Sequence, residues 1–158
     1  MDTIDRRLLD QLQRDASLTN QALADVVGLS PSACLKRVNR LKATGIIQRQ
    51  VALLSPEALG PCLHMVVEVI MERDNRALYQ RFEKRALAAP EVKQCYKVTG
   101  EIDFVLIVTV VDMAAYDHFC DAVLYADDNL KKFRTLISRK RSKFDTAERI
   151  PDDRQASR

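Results

Sequence analysis

The segment Ser30–Gly45, SPSACLKRVNRLKATG, constrains this chain most, because both of its ends are marked as helix ends. Ser30 is a preferred N-cap, Pro31 suits the first helical position, and Gly45 can take the left-handed conformation that closes a helix. At about 100° per residue, Cys34, Val38 and Leu41 form one apolar stripe, and Ser32, Lys36, Asn39 and Arg40 fall roughly opposite, with Ala33 beside them. The stripe is suited to packing and the other face is offered outward. No Asp or Glu interrupts the segment, so Lys36, Arg37, Arg40 and Lys42 predict unbalanced positive charge over about three turns. Taken alone, such a run reads equally well as a solvated basic face.

What precedes the segment decides between the two readings. Ile4, Leu8, Leu9 and Leu12 recur with helical period behind Asp2 and Asp5, which sit where a helix dipole favours negative charge. Ser17 or Thr19 can cap a second helix with Ala22, Leu23, Val26 and Val27 on its apolar face, and Gly28 then turns the chain. Two short amphipathic helices about a Gly-containing turn make a helix-turn-helix, whose second helix enters the major groove of DNA. Charge agrees: residues 1–50 hold eight Lys or Arg against five Asp or Glu, whereas the remainder balances at seventeen of each. The expected partner is double-stranded DNA, met by Ser30, Ser32, Ala33, Lys36, Arg37, Asn39, Arg40 and Lys42.

A chain of 158 residues accommodates one large or two small domains. No stretch approaches the ~18 to 20 apolar residues of a membrane span, and the charged N-terminus MDTIDRRLLDQ is unlike a secretory signal, so a cytoplasmic location is expected. Cys34, Cys62, Cys95 and Cys120 lie 25 to 33 residues apart with no CxxC pair, which favours buried free thiols. His64 and His118 show no ligand spacing, and no metal or cofactor is expected.

Residues 46–54, IIQRQVALL, are rich in branched side chains and predict one or two strands that complete a DNA-binding domain over 1–54. Ser55, Pro56, Gly60 and Pro61 mark a linker, 55–61. Beyond it, Cys62–Glu72 reads as a strand covered on both faces, and Asp74 caps a helix carrying Leu78, Phe82 and Ala86 that ends before Pro90. Val92–Val98 and Phe104–Val111 are strands about the turn TGEID, Thr99–Asp103. Asp112 or Met113 opens a helix with Tyr116, Phe119, Cys120 and Val123 on one face. Leu130–Phe144 alternates again, with Phe133, Thr135, Ile137 and Arg139 against Arg134, Leu136, Ser138 and Lys140. The order βαββαβ over 62–146 is the ferredoxin-like arrangement of an α+β protein, with both helices on one sheet face. The other face, left open with apolar residues on it, implies a partner sheet. The tail, 147–158, is expected to be mobile.

The run GLSPSACLKRVNRLKATGIIQ, then VALLSPEALG, then a βαββαβ domain with VTGEIDFVL at its central turn, resembles the Lrp/AsnC, or feast/famine, transcription regulators over residues 2 to about 145. The resemblance implies an N-terminal, winged helix-turn-helix that binds operator DNA. It also implies a C-terminal domain that binds a small effector, commonly an amino acid, and assembles homodimers into octamers or related rings. The family's turn pattern of Gly, a polar or acidic residue, an apolar or aromatic residue and Asp is met by Gly100, Glu101, Ile102 and Asp103, with Ile102 where an aromatic is common. Positions tied to effector response match Met113, Leu136, Ile137 and Ser138. Around the turn, Thr99 offers a hydroxyl, Glu101 or Asp103 an acceptor for an ammonium group, and Gly100 close approach to the backbone.

Two further functions are weighed. A ferredoxin-like domain also hosts enzymes. Against catalysis, no Ser-His-Asp or Cys-His signature can be placed, no Gly-rich phosphate loop follows a strand, and Asp127 and Asp128 read as solvated turn residues. An architectural protein that compacts DNA and senses nothing fits the same charge and assembly, and an effector-dependent change in DNA affinity separates it from a regulator.

Overall fold

Asp2 starts the first helix, α1 (Thr3–Arg14), by a reciprocal cap: its carboxylate accepts the Asp5 amide at 2.8 Å, and the Asp5 carboxylate accepts the Asp2 amide at 3.1 Å. Thr19 caps α2 (Asn20–Val27), which closes on Gly28 at φ 74°, a conformation that disfavours any side chain. Ser30 caps α3 (Pro31–Ala43) by accepting from the Ala33 amide, with Pro31 in the first turn as expected. Leu8, Leu23, Ala24, Val27, Cys34 and Val38 form the buried core of these three helices. The computed structural model describes residues 1–151 and separates into two units. One is Met1–Leu53 with the chain from Lys143 onward, and the other is Leu54–Ser142.

The strands expected over 46–54 do not form. Branched residues favour extended backbone, but a strand needs a neighbour to accept its hydrogen bonds, and none lies beside this stretch in the described chain. Val51, Leu53 and Leu54 stay exposed. Within the expected linker 55–61 a short helix, α4 (Pro56–Leu59), forms. In the tail expected to be mobile, Glu148 is held: its amide donates to Gln13 Oε1 at 2.9 Å, and Gln13 Nε2 donates back to its carbonyl at 3.1 Å. The rest of that expectation, from residue 152, lies outside the described residues.

The second unit has the order β1 (Leu63–Met71), α5 (Arg76–Ala88), β2 (Val92–Lys97), β3 (Phe104–Val110), α6 (Met113–Phe119, passing into a π-helical stretch to Tyr125) and β4 (Leu130–Ile137). The strands lie β2-β3-β1-β4, every neighbouring pair antiparallel. Alternate residues Met65, Val67, Val69, Phe104, Leu106 and Val108 bury one sheet face against Phe82, Ala86, Tyr116, Phe119 and Leu124. Asn75 caps α5, where Asp74 was expected, because its Oδ1 reaches the amides of Ala77 and Leu78. Strand β4 stops at Ile137, short of the expected Phe144, since pairing ends where β1 begins: Met65 faces Ile137, and the Ser138 amide donates to the His64 carbonyl. On the other sheet face Val66, Ile70, Val105, Ile107 and Leu136 are not covered by either helix. No helix of the described residues is long and apolar enough to cross a membrane.

Candidate DNA-binding and effector sites

Helix α3 turns Ser32, Leu35, Lys36, Asn39, Arg40 and Lys42 outward, and holds Ala33 and Arg37 half-buried. Its four cations are not all unbalanced, which corrects the reading from the segment alone. Arg37 donates to Asp2 at 2.6 Å and Asp5 at 2.9 Å, and Arg40 donates to Asp5 at 2.5 Å. Asp5 is only 1% exposed, so the bridge joins the start of α1 to the middle of α3. The Asp5 amide, then Arg37, holds the Asp2 carboxyl at about 2. Burial works against ionised Asp5, but the Asp2 amide and Arg37 outweigh it and its carboxyl also lies below the ordinary value. Ser30 is occupied as the cap, and its Oγ lies 3.3 Å from Ser32 Oγ.

Among the described residues, the outward side chains of α3 not tied to a carboxylate are Ser32, Leu35, Lys36, Asn39 and Lys42. Asn is suited to bidentate contact with adenine, Lys to guanine or phosphate, and an exposed Leu to a thymine methyl. Leu35, half exposed, is absent from the sequence-based set. The signal was present: it stands three residues after Ser32 and four before Asn39, on the face they share.

The expected effector residues fall into two groups. Thr99, Gly100 and Glu101 are exposed on the turn between β2 and β3, with Gly100 at φ 129°. Asp103, by contrast, is engaged within the fold: Oδ1 accepts the Tyr79 hydroxyl at 2.5 Å, Oδ2 accepts the Met71 amide at 2.7 Å, and its own amide donates to the Val69 carbonyl. Met113 follows β3, at the end of that strand away from the turn. The seven residues of β3 span roughly 20 Å. Leu136 and Ile137 pair with Val66 and Met65, also toward that far end, and face opposite sides of the sheet. One chain therefore does not bring the turn together with Met113 and Leu136–Ser138.

Asp127 is not the solvated turn residue expected. It is buried, pairs with Arg85 at 2.6 Å and accepts the Asn129 amide at 2.9 Å, while Asp128 beside it is exposed and pairs with Arg81. Among the described residues no three His, Cys, Asp or Glu gather as metal ligands.

A three-helix unit that presents a marked helix, joined to a four-stranded sheet with two helices on one face, has the two-part build of a regulator, one part for DNA and one for ligand. The winged helix-turn-helix DNA-binding family matches residues 1–48, and the Lrp/AsnC ligand binding domain family matches residues 64–148. The helix-turn-helix transcriptional regulator y4tD of Sinorhizobium fredii is 39% identical over 87% of this chain and 81% of its own length. An AsnC family transcriptional regulator from Agrobacterium tumefaciens superposes with TM-score 0.87 at 31% identity, over 94% of this chain and 97% of that one. A transcriptional regulator from Neisseria meningitidis, solved as a complex with L-Met, superposes with TM-score 0.85 at 32% identity, over 94% and 96%. The chain belongs to the Lrp/AsnC family of transcriptional regulators.

Proposed function

We propose that this cytoplasmic regulator binds operator DNA through the outward face of α3 and that an amino acid or a close chemical relative, bound to the sheet domain, alters its assembly or DNA affinity. The observation that carries the DNA half is the division of labour on α3, where Arg37 and Arg40 brace α1 while Ser32, Lys36, Asn39 and Lys42 stay outward. The relative solved with L-Met supports an amino acid as the effector class. The domains follow as 1–54 for DNA, 55–61 as linker and 62–146 for ligand and assembly.

Assembly is part of the same reading. The open sheet face carries Val66, Ile70, Val105 and Ile107 around the Glu68–Arg134 pair, a surface that a second copy of the sheet would cover. Exposed Val51, Leu53 and Leu54 would find their missing strand partner in that copy, which makes a homodimer the working unit and larger assemblies of dimers its extension. Two copies also resolve the separation of the effector residues, since Thr99–Glu101 of one chain can meet Met113 and Leu136–Ser138 of another. A ligand lodged there favours one assembly by its differential affinity for the two states.

The test is a thermal-shift screen of the full chain against the twenty amino acids, followed by DNA titration on a duplex selected from random sequence. A ligand that binds only the folded state raises stability by RT ln(1 + [L]/Kd). The expected outcome is one class of amino acid that raises the melting temperature and changes DNA affinity or sedimentation. Binding to DNA with no response to any of them would favour the architectural, DNA-compacting protein instead.

A further inference from the structure

Arg40 stands on the border of α3 between its outward face and the brace to α1. At about 100° per residue it lies about 40° round the helix from Lys36 and about 80° from Ser32, whereas Arg37 lies about 140° from Ser32. Exposure follows the same order: the Arg40 side chain is 55% exposed and that of Arg37 28%. A helix about 10–12 Å across fills a major groove about 12 Å wide, so side chains on its flanks meet the walls of the groove, which are phosphate. Arg40 is placed for such a wall, and in the free chain its guanidinium already holds an oxyanion, Asp5 Oδ2 at 2.5 Å.

The two arginines differ in what they can give up. Arg37 pairs with both Asp2 and Asp5, while Arg40, among the described residues, pairs with Asp5 alone. Asp5 does not depend on Arg40 either. When Arg40 leaves, Oδ1 keeps Arg37 at 2.9 Å and Oδ2 keeps the Asp2 amide at 3.1 Å, so the buried carboxylate still has a cation and a hydrogen-bond donor. Exchanging one oxyanion for another therefore leaves no charge unpaired, and its cost is the Asp5–Arg40 pair itself.

We propose that Asp5 is an internal competitor of DNA: its carboxylate occupies Arg40 in the free chain, and on binding Arg40 exchanges Asp5 for a backbone phosphate while Arg37 keeps the brace. Affinity is lowered by the strength of the pair that must be given up, and lowered equally for every sequence, because phosphates carry no base identity. The inference rests on α3 being the helix that meets DNA.

The experiment titrates a fixed duplex of mixed sequence with the full chain over a range of salt concentrations, for wild type, Asp5→Asn, Arg40→Ala, the two together, and Lys36→Ala. Asp5→Asn keeps an oxygen for the Asp2 amide and loses the charge, and it is expected to bind about two- to fivefold tighter than wild type with an unaltered salt slope. Arg40→Ala should reduce the slope of log K against log salt by about 0.9, the share of one phosphate. In the combined variant the gain from Asp5→Asn should vanish, because the guanidinium it releases is gone. A folded Asp5→Asn chain, judged by its melting temperature, that binds no tighter than wild type overturns the proposal, and so does a gain that survives Arg40→Ala. Should Asp5→Asn not fold, the Arg40→Ala slope decides alone: a fall of about 0.9 supports the exchange and an unaltered slope overturns it. Lys36→Ala tells this failure from that of the underlying reading. If it too keeps wild-type affinity and slope, α3 is not the helix that meets DNA; if it weakens binding while Arg40→Ala keeps the slope, the exchange alone has failed.

Discussion

Tyr79 donates its phenolic hydrogen to Asp103 across 2.5 Å, tying the turn between β2 and β3 to α5. The hydrogen bond, with burial behind it, pushes the Tyr79 hydroxyl up to about 12. The same carboxylate takes the Met71 amide, so Asp103 fastens the turn at two points and its loss would release both.

Asp103→Ala is therefore expected to destabilise the sheet domain by about 1–3 kcal/mol, because it leaves a hydroxyl and an amide without their acceptor. Glu101→Gln, on the exposed part of the turn, should shift stability by no more than about 0.5 kcal/mol. Urea unfolding of both variants checks this. If Asp103→Ala unfolds at the wild-type midpoint, the carboxylate is not a fastening. The comparison also decides how a lost effector response is read: loss in Glu101→Gln reports on ligand, and loss in Asp103→Ala reports first on the turn.

Acid should loosen the three-helix unit through Asp2 and Asp5. Asp2 moves from 3.8 to about 2 on folding, and Asp5 is lowered as well. A folded value below the unfolded one means that the contribution is fully present above about pH 4 and is lost as pH falls through 3.8 toward 2. Calorimetry of wild type and Arg37→Ala between pH 6 and 2 should show a gap in melting temperature that narrows below about pH 4. A gap of constant size down to pH 2 would mean that Arg37 acts by packing and not through these carboxylates.

On DNA, Asn39→Ala is expected to cost about 1–3 kcal/mol on a selected operator and to relax preference at one position. Lys36→Ala should weaken all sequences alike and reduce the salt slope by about 1 if it meets phosphate. Arg37→Ala should lower the melting temperature and leave base preference unchanged, because its guanidinium is taken up by Asp2 and Asp5. Filter binding across single-base operator variants separates these outcomes. Preference altered by Arg37→Ala but untouched by Asn39→Ala would reverse the assignment of the two residues.

Sedimentation of the wild-type chain at micromolar concentration should show dimers or larger species. Ile107→Asp, which puts a charge in the middle of the open sheet face, should shift the population toward monomer while circular dichroism keeps its wild-type form. A wild-type chain that sediments as a folded monomer would leave that face without the proposed partner.

The helices and strands were largely legible in the sequence because their signals are local. Ser30, Pro31 and the Cys34, Val38, Leu41 stripe act within one helix, and the caps at Thr19 and Asp112 reach only three residues ahead. Along β1 and β3 the near-continuous apolar runs marked strands without naming a buried face; the fold chose it, covering Met65, Val67, Val69, Phe104, Leu106 and Val108 and leaving the alternate residues open, so β1 is not covered on both faces within one chain. The order βαββαβ then left few ways to pair four strands, and the observed sheet follows from it.

What the sequence did not disclose depends on residues far apart along the chain. Arg37 meets Asp5 from 32 positions away and Asp103 meets Tyr79 from 24, so a positive run on α3 and an acidic turn looked free when each was already engaged. Asp127 looked solvated for the same reason, until Arg85 from α5 was found against it. Residues 46–54 had the composition of strands but lacked the neighbour that a strand requires, and composition cannot supply one. Of the residues expected to meet an effector, Thr99–Asp103 and Met113 stand at opposite ends of β3, because a strand keeps its two ends about 3.3 Å per residue apart. Propensity, capping and alternation act over a few residues and so belong to the sequence itself. Which charge meets which, and which residues share a site, was decided only when packing brought distant segments together.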